Sequence, residues 1–296
     1  MLRLILDRSD VSIPSESMFL LDIDAKKPPE ELVREIWSHP RVTLWNLPGG
    51  PPAIPPGLSR DEAFRFAVSS PYVAYATREG KTRWGDKTPA YIGSIDRLDA
   101  IWPDARFVIL VRDGRDVALS IMKVPFGANN VWAAARSWAH AIRLGREAAA
   151  RYPGRVLSVR YEDLVASPEA EVQKVCAFLA LDYAPEMLAI EQTDSSKIVE
   201  EQAGWFTNVW AGINTKAMGK WRREMSPHDQ RVFESVAGAE LRELGYETSG
   251  GAASPLLVPA YAAHDAAMRT VNFVKLRLVQ ERGREVRQVL RRKLAR

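Results

Sequence analysis

Residues 107–111, FVILV, form a short, continuous apolar run rich in branched side chains, a pattern that predicts a strand buried on both faces of a parallel sheet. The run passes directly into Arg112, Asp113, Arg115 and Asp116, and then into helical spacing over 114–122. A long amphipathic helix is predicted over about 130–151, carrying Trp132, Trp138 and Ile142, and Gly154 ends that unit. RVLSVRYEDL, 155–164, reads as a second buried strand. Strand, long helix, strand is a βαβ pattern, so the fold class is α/β with parallel strands and a right-handed crossover. The charged end of the first strand then lies at the carboxyl edge of the sheet, where ligands bind in open α/β folds, and the following helix start favours anions.

The remaining elements follow from local signals. Residues 1–7, MLRLILD, have helical spacing without a starting cap, and a helix is predicted near 29–38. NLPGGPPAIPPG, 46–57, is a Pro/Gly loop, too stiff and too poor in donors for a helix or a central strand. Ser59 caps a helix that leads to a second one near 71–78, and Thr88-Pro89 turns the chain into another. Ser167 is expected to cap a helix from Pro168, and Ser226 one that Gly245 stops. There is no internal repeat. The one boundary, SGGAASP at 249–255, divides a domain of residues 1–248 from a linker and basic amphipathic helix over 249–296.

Composition narrows the function classes. Of the 296 residues 46% are apolar and nine are Trp, enough for a substantial core. No apolar run approaches the ~20 residues that span a bilayer, and no signal-type segment opens the chain, so a cytoplasmic protein is expected. The single cysteine, Cys176, rules out an internal disulfide and a cysteine zinc cluster; its setting, VQKVCAFLA, predicts a core position. The four His show no metal-ligand spacing, and no metal is expected. Residues 275–296 hold nine Lys/Arg against two Glu, a net +7, so the whole-chain +4 leaves −3 for the rest and nucleic acid is not an expected partner. In the tail, Val271, Val274, Leu278, Val286, Val289, Leu290 and Leu294 recur at helical spacing with Arg between them. That stripe suits either an anionic membrane surface or partner, or packing on the protein's own domain. Abundant Ala and Arg suggest a bacterial source.

Several of these stretches carry a family resemblance. RFVILVRDGRDVALS resembles the 3′-phosphate-binding segment of the sulfotransferases, which implies that Arg112 and Ser120 hold the 3′-phosphate of 3′-phosphoadenylyl sulfate (PAPS). An arginine fork matches phosphate oxygens bidentately and keeps its charge. The plain alternative is that Arg112 and Arg115 pair with Asp113 and Asp116 at the sheet edge. VRYEDLVASP resembles the segment that places Tyr161 beside the adenine. MGKWRREMSPHDQ resembles the late Gly-x-Trp-Arg/Lys segment, and Lys216 stands in its upstream loop as a phosphate contact, where relatives read Arg-Lys-Gly and this chain reads Asn214-Thr215-Lys216. WGDKTP implies that Lys87 stabilises charge on the transferring group, and IPSESMFL that Glu16 is the general base. Against these, Lys87 could simply pair with Asp86, and Glu16 could accompany Ser15 in capping.

The resemblance spans about residues 1–248 and implies a P-loop-NTPase-like parallel sheet flanked by helices, with PAPS as donor and adenosine 3′,5′-bisphosphate as product. The acceptor would be a hydroxyl on a small molecule, glycan or lipid. Acceptor pockets would come from loops such as 40–60 and 190–213, with aromatics in WFTNVWAGIN, and Trp84 and Tyr91 would be either pocket lining or core. A kinase would need a Lys-bearing phosphate loop and magnesium carboxylates, and neither is in the sequence. The family's first strand and its Arg-Ser-Gly-Thr-Thr loop would precede the helix that MLRLILD resembles. Either Met1 is internal to a longer chain, or a short form has weakened activity and acts as a nucleotide-binding or assembly protein. A sheet short of its first strand would expose backbone groups, for which pairing in a homo-oligomer is one remedy.

Overall fold

Two pairs of parallel strands organise the first part of the molecule, in a computed structural model that describes residues 1–124, 127–190, 213–251, 258–268 and 270–271. In chain order the elements are α1 (Leu2–Leu6), β1 (Val11–Ser12), α2 (Pro29–Ser38), α3 (Pro40–Thr43), α4 (Arg60–Arg78), β2 (Arg83–Trp84) and α5 (Ile95–Ile101). There follow β3 (Phe107–Val111), α6 (Gly114–Ile121), α7 (Val131–Arg151), β4 (Val156–Arg160), α8 (Tyr161–Ala166) and α9 (Pro168–Leu179). Then come α10 (Trp221–Glu224), α11 (Pro227–Glu243) and α12 (258–268). One compact unit comprises Met1–Val111 and the described part of Leu144–Thr215; a second comprises Arg112–Arg143 and the described residues from Lys216 on.

The βαβ unit forms as its pattern requires: β3 and β4 are parallel and in register from Phe107↔Val156 to Val111↔Arg160, joined through α6 and α7. Burial on both faces does not follow. Leu110 is 40% exposed, and Val111 alone on β3 is fully buried. An apolar run does not by itself bring a covering layer to both faces of a strand, and here part of one face is left open. The second predicted strand also stops at Arg160, because Tyr161 opens α8 with Glu162 and Asp163 in its first turn, where acidic side chains favour a helix start.

The two helices expected on either side of Pro71 are one, α4. Pro71 cannot donate to the carbonyl of Ala67, but the Ser70 hydroxyl does so at 2.9 Å, and Ala67, Val68, Tyr72 and Tyr75 on both sides are buried with Leu32, Val33 and Ile36 of α2. Packing thus holds the helix through the proline. Ser59 begins α4 with a full capping box, and Ser226 caps α11 by accepting from Asp229 N at 3.0 Å. Gly245 ends α11 at φ +74°, a conformation that glycine adopts without penalty. Ser167 does stand before α9 but makes no capping bond; Pro168 at the first position has no N–H to satisfy.

Cys176 is buried in a core with Leu4, Ile5, Val159, Leu164 and Val172, its sulfur 4.0 Å from that of Met187. The second unit has its own core, built on Trp132, Trp138, Trp221, Val232, Phe233 and Leu241. There α12 is tied to the start of α7 by Asn129 Nδ2 to Asp265 Oδ1 (3.0 Å) and Asn130 Nδ2 to the Tyr261 carbonyl (3.1 Å). The basic tail beyond Val271, part of the 249–255 boundary and most of the aromatic 205–214 stretch lie outside the described residues. Among the described residues, no helix is long and apolar enough to cross a membrane, and no group of His, Cys, Asp and Glu is arranged to hold a metal ion.

Candidate active site

The parallel pairing of β1 with β2 is two residues long, Val11↔Arg83 and Ser12↔Trp84, and Gly85 N continues it by donating to the Ser12 carbonyl at 2.9 Å. Parallel strands release their chains at the same edge, so the loops IPSES and GDKTP leave side by side. Glu16 and Lys87 therefore meet: Lys87 Nζ stands 2.5 Å from Glu16 Oε1, with 44% and 23% of the two side chains exposed. A carboxylate and an ammonium are thus presented together at a strand-end edge.

The two alternatives for these residues are not what forms. Asp86 does not pair with Lys87; its carboxylate accepts from Tyr72 OH at 3.0 Å. Ser15 accepts from Trp45 Nε1 at 3.1 Å instead of capping a helix with Glu16. Burial pushes the Asp86 carboxyl above its ordinary range and raises the phenols of Tyr72 and Tyr91 as well. Tyr91 and Trp84 belong to the core cluster, Trp84 stacking on Tyr72 at 4.6 Å. From α1, Arg3 donates to the Ile13 carbonyl (2.8 Å) while Asp7 accepts from Ile13 N (2.9 Å), so both backbone groups at the exit of β1 are held. In the sequence both residues look like ordinary helix-face charges, and nothing local marks them.

In the second unit Arg112 begins where β3 ends. Its guanidinium reaches Asp116 Oδ2 at 3.4 Å and the carbonyl of Ala217, and 23% of its side chain remains exposed. Arg115 is buried, bonded to Asp113 Oδ2 (2.8 Å) and Glu234 Oε1 (2.9 Å), with its guanidinium 3.5 Å over the Trp221 ring. Ion pairing within the RDGRD run is thus present, and Arg115 makes the stronger part of it. Asp116 also braces the backbone, since its two oxygens accept from Gly219 N (2.8 Å) and Trp221 N (2.9 Å), which docks the MGKW segment against the start of α6. Lys216, exposed, stands next to Ala217 in that same stretch. Ser120 is exposed in the last turn of α6; in the first unit, Tyr161 opens α8 directly after β4. The sequence does not reveal the bracing by Asp116 or the part of Glu234, because their partners lie more than a hundred residues away along the chain.

Gly114 has a steric reason. A Cβ there would lie 2.6 Å from Phe233 Cζ and closer still to the Trp138 indole, whose Nε1 bonds the Arg112 carbonyl at 3.0 Å. Gly114→Ala is expected to destabilise the protein by about 3 kcal/mol through overpacking, read as a lowered urea midpoint. An unchanged midpoint would refute the close packing.

Beside the Pro/Gly loop, a cavity of about 420 Å³ is lined by Arg34, Trp37, Val42, Thr43, Leu47 and Pro51. Trp45, on the same stretch, bonds the residue before Glu16.

Comparison with known proteins bears on the family and the fold. The sequence profile described as "Sulfotransferase family" matches residues 2–185. A putative protein-tyrosine sulfotransferase of Caenorhabditis briggsae is 29% identical over 196 residues, covering 64% of this chain and 70% of that protein. The nodulation protein NoeE of Sinorhizobium fredii is 29% identical over 216 residues, covering 65% of this chain but only 51% of its own length. The solved sulfotransferase domain from the curacin biosynthetic pathway superposes with a TM-score of 0.57 at 17% identity, over 83% of this chain and 93% of that domain. The sulfotransferase domain of the Synechococcus PCC 7002 olefin synthase gives 0.58 at 20% identity, over 83% and 90%. These two structural likenesses bear on the fold.

Proposed function

The chain belongs to the sulfotransferase family and is an enzyme of that class, and from this premise we propose that it moves a sulfuryl group from PAPS to an acceptor hydroxyl. The observation that carries the reading is the apposition of Glu16 and Lys87 at 2.5 Å, two groups of the opposite character that such a transfer needs. The acceptor oxygen forms the new S–O bond and gives its proton to Glu16. The bond from sulfur to the bridging oxygen breaks, and its electron pair leaves on the phosphate of adenosine 3′,5′-bisphosphate. Lys87 meets the charge that develops on that oxygen and on the sulfonate.

On this reading Arg112, Ser120 and Lys216 bind the 3′-phosphate and Tyr161 the adenine. The place of Arg112 supports it: an arginine at the carboxyl end of a parallel strand, next to a helix start, with 23% of its side chain exposed. The cavity beside residues 42–51 supports an acceptor with an apolar body, because it mixes Trp37, Val42 and Leu47 with a single cation, Arg34. A cytoplasmic setting is part of the proposal, supported by the one thiol, Cys176, buried and free.

Calorimetric titration tests the nucleotide half directly. Adenosine 3′,5′-bisphosphate is expected to bind with one-to-one stoichiometry and adenosine 5′-phosphate at least about tenfold more weakly, since one charge-assisted contact set is missing. Equal affinity for the two would overturn the 3′-phosphate assignment.

A further inference from the structure

The turn that leads into α10 is shaped to hold an anion. Gly219 sits at φ +63° and Lys220 at φ −56°, ψ −34°, a left-handed residue followed by a right-handed one. Backbone N–H groups in such a turn converge on one concavity, a nest that takes a phosphate or a carboxylate. Here the anion comes from the chain itself. Asp116 Oδ2 accepts from Gly219 N at 2.8 Å and Oδ1 from Trp221 N at 2.9 Å, and the Asp116 side chain is wholly buried. Both donors are backbone N–H groups, so the direction of each bond is fixed.

The same carboxylate reaches Arg112, whose guanidinium lies 3.4 Å from Oδ2 and also donates to the carbonyl of Ala217, two residues before Gly219. Contacts therefore close a ring: strand end to helix start, helix start to turn, turn to strand end. Asp116 is its fixed corner. It lies in the first turn of α6, which Asp113 caps by accepting from Arg115 N at 2.9 Å, and where Gly114 packs against Trp138 and Phe233. A long side chain tethered at two points has less freedom to lose when a phosphate arrives.

We propose that Asp116 is a positioning residue for the 3′-phosphate: by filling the nest at 219–221 it seats that turn on Arg112 and holds the guanidinium in place for the nucleotide. The inference rests on the role given above to Arg112, and it assigns Asp116 no contact with the nucleotide. A carboxylate beside a phosphate-binding cation opposes anion binding if charge is all that it contributes. Positioning and charge thus predict opposite signs when Asp116 is neutralised.

The test compares Asp116→Asn, Gly219→Ala, Arg112→Ala and the double variant Asp116→Asn/Arg112→Ala with the unaltered chain. Two readouts are taken: calorimetric affinities for adenosine 3′,5′-bisphosphate and adenosine 5′-phosphate, and the exchange rates of the Gly219 and Trp221 amides. Asn keeps the shape of Asp but accepts through one oxygen and turns an NH₂ toward the second backbone N–H. Asp116→Asn is expected to weaken the bisphosphate about tenfold or more, to leave the 5′-phosphate within about twofold, and to speed exchange of both amides. A merely structural loss would weaken the two nucleotides together. Gly219→Ala has room for its methyl, with Arg222 Nε the nearest atom at 4.0 Å, but Ala resists the left-handed φ. It should cost about fivefold, on the bisphosphate alone. In the Arg112→Ala background Asp116→Asn should add less than about twofold, since it acts through Arg112.

Asp116→Asn that binds the bisphosphate as tightly as the unaltered chain, or tighter, overturns the proposal. So do a loss shared equally by the 5′-phosphate, unchanged exchange of both amides, and full additivity with Arg112→Ala. Should Asp116→Asn fail to fold, Gly219→Ala decides alone by the ratio of the two nucleotides. An unaltered chain without affinity for the bisphosphate, or Arg112→Ala at undiminished affinity, overturns the underlying reading and this inference with it. Weakening by Arg112→Ala that Asp116→Asn and Gly219→Ala do not share overturns the inference only.

Discussion

Glu16→Gln is expected to lower kcat for sulfuryl transfer about 10²- to 10⁴-fold, the range of a lost general base, while the affinity for adenosine 3′,5′-bisphosphate stays within about twofold. Gln keeps the size of the side chain and an oxygen for Lys87 Nζ to donate to, so the edge formed by β1 and β2 survives. What it cannot do is take the proton that the acceptor hydroxyl must shed as the S–O bond forms. The loss corresponds to about 3–5 kcal/mol of barrier. Nucleotide affinity is spared because Arg112, Ser120 and Lys216 belong to the other compact unit. Transfer from labelled PAPS, followed at saturating donor, measures it; a variant within tenfold of the unaltered rate would place the base elsewhere.

The second large effect is on binding. Arg112→Ala should weaken adenosine 3′,5′-bisphosphate by about 100-fold or more, because two charge-assisted hydrogen bonds to one phosphate are each worth about 1.5–3 kcal/mol. The fold should tolerate the change. Asp116 keeps Gly219 N and Trp221 N as donors after Arg112 is gone, so no buried carboxylate is stranded, and the Arg112 carbonyl that holds Trp138 is backbone. Arg112→Lys retains the charge without the planar fork and should fall between, about tenfold weaker than the unaltered chain. Calorimetry with thermal unfolding on each variant separates affinity from stability. Undiminished binding by Arg112→Ala would leave that guanidinium a structural role, with Asp116 and Ala217 among its partners.

Both expectations begin from residues that can be picked out in the sequence, and the reason they can differs from the reason others cannot. Glu16, Lys87 and Arg112 stand in short stretches whose residue types resemble those of a family, and their chemistry is intrinsic: a carboxylate, an ammonium, a guanidinium. Asp86 stands in the same WGDKTP stretch as Lys87 and, in the sequence, looks like its ion-pair partner. Adjacent residues of opposite charge invite that reading, and only the Tyr72 hydroxyl, bonded to it at 3.0 Å, shows where the carboxylate is used. Asp116 looks like a partner for arginine in the same way. It does touch Arg112, at 3.4 Å, but its shorter bonds go to two backbone N–H groups.

Element boundaries divide along the same line. The capping box at Ser59, the cap at Ser226 and the left-handed stop at Gly245 depend on atoms within a few residues, and the sequence carries them completely. The βαβ order is readable too, because a continuous apolar run and a long amphipathic helix are local patterns. Whether Pro71 breaks α4 depends on Ser70 and on burial against α2, and whether Leu110 is covered depends on what packs over that face of β3. The sequence by itself therefore determined the fold class, most helix ends and the types of the candidate catalytic groups, all of which rest on short-range chemistry. Tertiary structure alone decided that Glu16 meets Lys87 across 71 residues and that Asp116 receives Gly219 across 103, since strand register and side-chain packing bring those atoms within hydrogen-bond reach and no local pattern encodes either.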